Sequence, residues 1–229
     1  MEKPSVLLLH GALGSKQSLE LIAKELSINF NVHLFNFYGH GGNLDKKVWD
    51  MNSLALQIKE YIDFHQLKDY SIFGYSMGGY AALVSTVRYG ITPNKIITLG
   101  TKFNWTEEAT EYEIKQLQPE LLSVKAPEFI QTLSRIHHPL SGIEILKATQ
   151  HMMKILSKEQ FLTDDELFNI RCLVILLLGD NDKMVSQNET NLIRQKIPIA
   201  RLMILPETKH PIEKVDPKKL VNVLIGIFD

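Results

Sequence analysis

Cysteine is all but missing from this chain of 229 residues, with Cys172 its only example. One thiol cannot close an internal disulfide, so nothing here calls for an oxidising compartment. An excess of charge is missing too: 25 Lys and Arg stand against 26 Asp and Glu, a formal net charge of −1. There is no basic footprint for nucleic acid and no polybasic block for an anionic membrane surface. Long apolar runs are also absent. The longest, 172–178, has seven residues, far short of the ~20 needed to span a bilayer. The first residues, Met1-Glu2-Lys3-Pro4, lead straight into the apolar run 6–9, which is too short for a signal-peptide core. The expectation is a cytoplasmic protein that partners neither nucleic acid nor membrane. Repeats, low-complexity tracts and Gly/Ser linkers are lacking, so 1–229 reads as a single domain. Hydrophobic residues at 45% and charged residues at 22% are ordinary for a globular protein and exclude a disordered, collagenous or coiled-coil chain.

What is present is an alternation of short apolar runs and helix-period segments. The strand candidates are 6–10, 32–37, 70–74, 95–99, 172–178 and 201–205. Most are almost continuously apolar, as strands covered on both faces of a parallel sheet must be. Between them, Leu54, Ile58, Tyr61, Ile62 and His65 share one helical face, as do Leu220, Val223, Leu224 and Ile227. This alternation predicts an α/β three-layer sandwich: a mostly parallel six-stranded sheet flanked by helices. The rhythm breaks between Leu99 and Arg171, where helical stretches at 107–117, 126–136 and 143–156 replace strands. The expectation there is a helical cap insertion, residues 103–168, after the fourth strand.

The central motif is Gly74-Tyr75-Ser76-Met77-Gly78-Gly79, between a strand and the helical run Tyr80-Ala81-Ala82-Leu83-Val84. This is a G-x-S-x-G nucleophile elbow in its strand–turn–helix setting. The sharp turn strains the serine's backbone, and the helix start behind Ser76 offers main-chain N–H groups where an oxyanion would form. His10-Gly11-Ala12-Leu13-Gly14-Ser15 follows the first strand. It can present the Ala12 amide as a second oxyanion donor beside that of Met77.

Two aspartates, Asp180 and Asp182, lie in the loop after the most apolar strand. His210 lies in the loop after the last strand, and it alone of the eight histidines completes the order Ser, Asp, His. His33 and His65 read as structural, and His10 and His40 as braces in glycine-rich loops. His137 and His138 are adjacent, point apart and lack Asp, Glu or Cys at supporting spacing, so no metal site is read there.

These features together resemble the α/β-hydrolase fold superfamily, in particular its serine-nucleophile, esterase-like members, and the resemblance covers most of the chain. It rests on His10-Gly11, the turn Phe37-Tyr38-Gly39-His40-Gly41, the elbow at Ser76, the loop 179–182 and His210. The departures are a start at what the family counts as its third strand, a turn without the usual Asp and Pro, and Pro211 after the histidine. The resemblance implies the strand order 2-1-3-4-5-6 and, of the two aspartates, matches Asp182 to the family's acid position. It implies a serine hydrolase cleaving an ester-like bond of a small to medium acyl substrate through an acyl-enzyme. Ser76 would be the nucleophile, His210 the base and Asp182 its orienting acid, with the Ala12 and Met77 amides as oxyanion hole and no metal or cofactor. Serine at the elbow, rather than aspartate, argues against dehalogenase and epoxide hydrolase chemistry. Leu13, Phe103 and Trp105 are the substrate-binding candidates, and Trp105 is the foremost. Two alternatives stay open: a carbon–carbon bond hydrolase or lyase of the menaquinone-synthesis type, and a non-catalytic ligand receptor on the same fold.

Overall fold

The computed structural model describes residues 3–44 and 49–228. Six strands, β1 (Ser5–Leu9), β2 (Asn31–Leu34), β3 (Tyr70–Tyr75), β4 (Lys95–Leu99), β5 (Leu173–Gly179) and β6 (Ala200–Leu205), form one sheet in the order β2-β1-β3-β4-β5-β6. Every pairing is parallel. The expected α/β architecture and strand order are those observed. Strand β2 is shorter than its apolar run, ending at Leu34, and β3 runs one residue further, to Tyr75.

Period two explains why the strands read as unbroken apolar runs. Leu7, Leu9, Ile72, Ile96, Val174 and Leu176 face one core, while Val6, Leu8, Phe73, Ile97, Ile175 and Leu177 face the other. Successive side chains of a strand point to opposite faces, so a sheet covered on both sides needs both parities apolar. The first core is closed by α2 (Met51–Phe64) and α3 (Met77–Tyr89), the second by α1 (Glu20–Leu26) and α10 (Pro217–Phe228). In α2 the buried Leu54, Ile58 and Ile62 recur at the predicted spacing of four. Asp50 and Ser53 close that helix's N-terminus in a reciprocal capping box.

Between β4 and β5 the chain is helical: α4 (Glu107–Gln116), α5 (Pro119–Lys125), α6 (Pro127–Ile136), α7 (Gly142–Lys158) and α8 (Asp164–Phe168). Met152 and Leu156 of α7 join the first core, so this segment packs on the α2/α3 side of the sheet. Helix α9 (Gln187–Lys196) links β5 to β6. Among the described residues no helix is long and apolar enough to cross a membrane.

Candidate active site

The sheet's C-terminal edge gathers the candidate side chains. Ser76 stands between β3 and α3 with φ 50° and ψ −113°, a region L-residues rarely occupy. The turn is over-determined. The Ser76 amide donates to the Leu99 carbonyl (2.8 Å), and the Ser76 carbonyl accepts from Gly79 N, Tyr80 N and Thr101 Oγ1. A Cβ at Gly74 would lie 2.5 Å from the backbone of Gly79, so the strand and helix meet only across bare glycine. Replacing Gly74 by Ala is expected to cost about 3 kcal/mol or more of stability. Chemical denaturation reads this out, and an unchanged midpoint counts against the packing described.

The loop after β5 brings Asp182 to His210. Asp182 Oδ2 accepts from His210 Nδ1 at 2.7 Å, and Oδ1 accepts from the amides of Met184 and Val185 at 2.8 and 2.9 Å. The Asp182 side chain is 2% exposed and that of His210 15%. A carboxylate acceptor at Nδ1 leaves Nε2 of the neutral ring as a proton acceptor. The Tyr75 hydroxyl donates to the His210 carbonyl (2.9 Å) and braces the loop. Burial pushes the Tyr75 phenol up, so it stays a donor. Asp180 faces elsewhere: its Oδ1 accepts from the Thr208 amide (3.2 Å) and from Asn181.

Below the Asp182–His210 pair lies Gly100, at φ 60°. A Cβ there would come within 3.1 Å of Asp182 Oδ2 and 3.2 Å of His210 Nδ1. The end of β4 and the segment after it therefore meet the whole site, through Leu99 and Thr101 on Ser76, Gly100 under the pair, and Lys102 beyond. No local signal marks it, because Gly100-Thr101-Lys102 matches no motif and its contacts are with residues distant in the chain.

Ser76, Ala12 and Met77 line one cavity with about 340 Å³ of space free of atoms, part of it open to solvent. Met77 opens α3, where main-chain N–H groups lack intrahelical acceptors. Trp105 is on the same wall, with its indole N–H given to the Lys102 carbonyl. Five of the chain's seven methionines line this space: Met51, Met77, Met152, Met153 and Met184. Methionine spacing along the chain gives no sign of this, since they come from four separate segments. Among the described residues Lys102 is the single charged one lining the cavity; its ammonium meets Glu113 of α4 (3.2 Å) and the Met184 carbonyl (3.1 Å).

Two of the substrate-binding candidates are not on this wall. Phe103 packs beside Tyr80, with ring centroids 6.0 Å apart, and its amide donates to Glu189. Leu13 contributes backbone, with φ 61° and a carbonyl that accepts from His137 Nε2 (3.1 Å). Residues two apart in an irregular loop, as Phe103 and Trp105 are, have no period to say which one faces the ligand.

Behind the loop after β1 sits a buried histidine trio. The rings of His10 and His40 are 5.1 Å apart, and those of His40 and His137 are 5.6 Å apart. Burial lowers the pKa of all three, that of His10 to about 4 and that of His40 well below the usual value. His40 Nε2 has no hydrogen-bond partner among the described residues. The neutral rings thus pack as polar-edged aromatics. No group of His, Cys, Asp and Glu suited to hold a metal ion occurs among the described residues.

The family described as Thioesterase domain matches residues 4–202. A monoacylglycerol lipase of Bos taurus is 20% identical over 258 residues, which is 99% of this chain and 75% of that protein. An abhydrolase domain-containing protein of Schizosaccharomyces pombe is 28% identical over 98 residues, 42% of this chain, and that stretch is only 36% of the relative's length. An esterase from Exiguobacterium antarcticum superposes with a TM-score of 0.79 at 19% identity, covering 99% of this chain and 92% of that one. At such identity the likeness is one of fold.

Proposed function

This chain belongs to the thioesterase domain family and has the α/β-hydrolase fold, and on that premise we propose that it is a serine hydrolase of acyl esters or thioesters. Two observations carry the reading together: the strained Ser76 shares one cavity with Ala12 and Met77, while Asp182 holds His210 by Nδ1 in a loop braced by Tyr75, the residue before Ser76. In this reading Ser76 Oγ attacks the acyl carbonyl as His210 Nε2 takes its proton. The Ala12 and Met77 amides carry the oxyanion, and His210 returns the proton to the leaving alcohol or thiol. Water, activated by the same imidazole, then attacks the acyl-Ser76 ester, releases the acid and restores the serine. Asp182 fixes the tautomer and stabilises the imidazolium.

The methionine wall argues for the acyl side of the substrate. Methionine is unbranched and polarisable and adapts its shape to an apolar guest. We infer a small to medium acyl group lying among Met51, Met152, Met153 and Trp105. The carbon–carbon hydrolase alternative needs cationic grips for carboxylates, best supplied by arginine. Arg135 does not line the cavity, and Lys102 is already paired with Glu113. The ester reading is the better supported. With p-nitrophenyl esters of rising chain length, kcat/KM is expected to peak at short to medium chains. A peak confined to long chains would contradict the assigned acyl wall and leave the nucleophile untouched.

The test of the reading as a whole is covalent. A fluorophosphonate should add once to the folded protein, at Ser76, by intact mass and peptide mapping, and Ser76→Ala should take no label while keeping its melting temperature. No adduct on the folded wild-type protein would sink the enzymatic reading and favour a receptor that only binds.

A further inference from the structure

His137 lies in the helical segment between β4 and β5, remote in sequence from the catalytic candidates, yet it is fully buried and touches the loop after β1. Its two ring nitrogens face opposite kinds of partner. Nδ1 accepts from the Gly41 amide at 3.0 Å, and Nε2 lies 3.1 Å from the Leu13 carbonyl. An amide only donates and a carbonyl only accepts, so the ring is the neutral Nε2–H tautomer and donates to Leu13.

From Leu13 the hydrogen bonds continue. The Leu13 carbonyl belongs to the same planar peptide as the Gly14 N–H, and that N–H donates to the Gly11 carbonyl at 3.2 Å. The Gly11 carbonyl is shared with His10 Nδ1 (2.8 Å) and belongs to the same peptide as the Ala12 N–H. In a trans peptide the carbonyl and N–H point in opposite directions. Gripping the carbonyl of Gly11 therefore aims the N–H of Ala12, a residue that lines the Ser76 cavity. Chains of this kind also polarise one another, strengthening the terminal donor. Leu13, held at φ 61°, would relax from that conformation without such a grip.

We propose that His137 is a positioning residue for the oxyanion hole: it heads a two-peptide relay, through Leu13–Gly14 and Gly11–Ala12, that aims and strengthens the Ala12 N–H. The proposal rests on the serine-hydrolase reading above. It gives the helical segment a role in transition-state stabilisation distinct from walling the cavity.

Two near-isosteric variants separate the ring's two bonds. His137→Gln can place an N–H near the Nε2 position and keep the bond to Leu13. His137→Asn is too short for that and can keep only the acceptor for Gly41. A misaimed oxyanion donor weakens the transition state rather than ground-state binding. His137→Asn is therefore expected to lose roughly 10- to 100-fold in kcat with KM within about twofold of wild type. His137→Gln should stay within about fivefold of wild type in both constants. Hydrogen exchange of the Gly14 amide, which does not depend on turnover, should quicken at least about tenfold in the Asn variant and remain near wild type in the Gln variant. The relay is overturned if the two variants behave alike, if the loss falls on KM, if kcat merely follows melting temperature, or if Gly14 exchange is unmoved in His137→Asn. Should wild type neither cleave esters nor take the fluorophosphonate, the reading of the site falls and the oxyanion role with it. An active wild type with indistinguishable variants removes the relay alone.

Discussion

Asp182→Asn is expected to lower ester turnover by roughly 10⁴-fold, the loss seen when the same change is made in a serine protease triad. The substitution keeps shape and removes an acceptor. Asp182 Oδ1 already serves the amides of Met184 and Val185, so in the variant that position retains the amide oxygen. The NH₂ group then falls at Oδ2, facing His210 Nδ1 at what was a 2.7 Å bond. Two donors cannot share a hydrogen bond, so the ring adopts the tautomer with its proton on Nε2 and cannot accept from Ser76. Asp180→Asn should act on stability instead. Its oxygen holds the Thr208 amide and so the start of the histidine loop. Exchanging a charged acceptor for a neutral one there is worth about 1 kcal/mol, a few degrees in melting temperature. Steady-state kinetics and thermal melts on both variants decide the matter. An inactive but stable Asp180→Asn beside an active Asp182→Asn would reverse the two roles.

Acid should destabilise the protein steeply, and the buried histidines give the window. His10 titrates near 4 in the folded chain, against 6.5 as its ordinary value, chiefly because burial penalises the imidazolium. Between those two values the unfolded chain binds more protons than the folded one, so stability rises with pH there. His10's contribution is complete above about pH 6.5 and is lost as pH falls toward 4, a loss of about 3 kcal/mol. His40 and His137 are lowered by the same cause and add to it in the same direction. Urea midpoints measured from pH 7.5 to pH 4 should therefore fall continuously below pH 6.5. His10→Gln should be less stable at neutral pH but show a flatter profile. A wild-type midpoint constant down to pH 4.5 would show that these rings are not held neutral by burial.

The cavity wall and the site differ in how far they can be read from the chain. Local patterns carry information at the range over which a strand or a helix repeats. The apolar runs mark the four inner strands well because both faces of the sheet are covered there, which favours apolar residues of both parities; the edge strand β6 is marked too, although its Arg201, Met203 and Ile204 are exposed. Strand β2 is over-read because Phe35 and Phe37 continue the apolar pattern after the ladder stops; Phe37 is wholly buried, but in the turn rather than the sheet. The elbow is legible because a strand, a sharp turn and a helix must be contiguous for Ser76 to be strained and exposed to ligand at once. The order Ser76, aspartate, His210 is legible for the same reason, as each residue follows a strand at the same edge.

By itself, then, the sequence determined the layers, the parallel sheet and a serine presented at the strand-to-helix turn, because these follow from spacing within short segments. The tertiary structure decided what depends on the meeting of distant segments. It placed Asp182 rather than Asp180 against His210, since two residues on the same side of a loop differ only in reach. It turned Trp105 and not Phe103 to the cavity and brought methionines from four segments to one wall. It also set Gly100 beneath the Asp182–His210 pair and laid the His137 ring against the Leu13 carbonyl. Such contacts are made by side chains and backbone atoms tens of residues apart, and no local periodicity encodes which of them will face each other once the sheet has assembled.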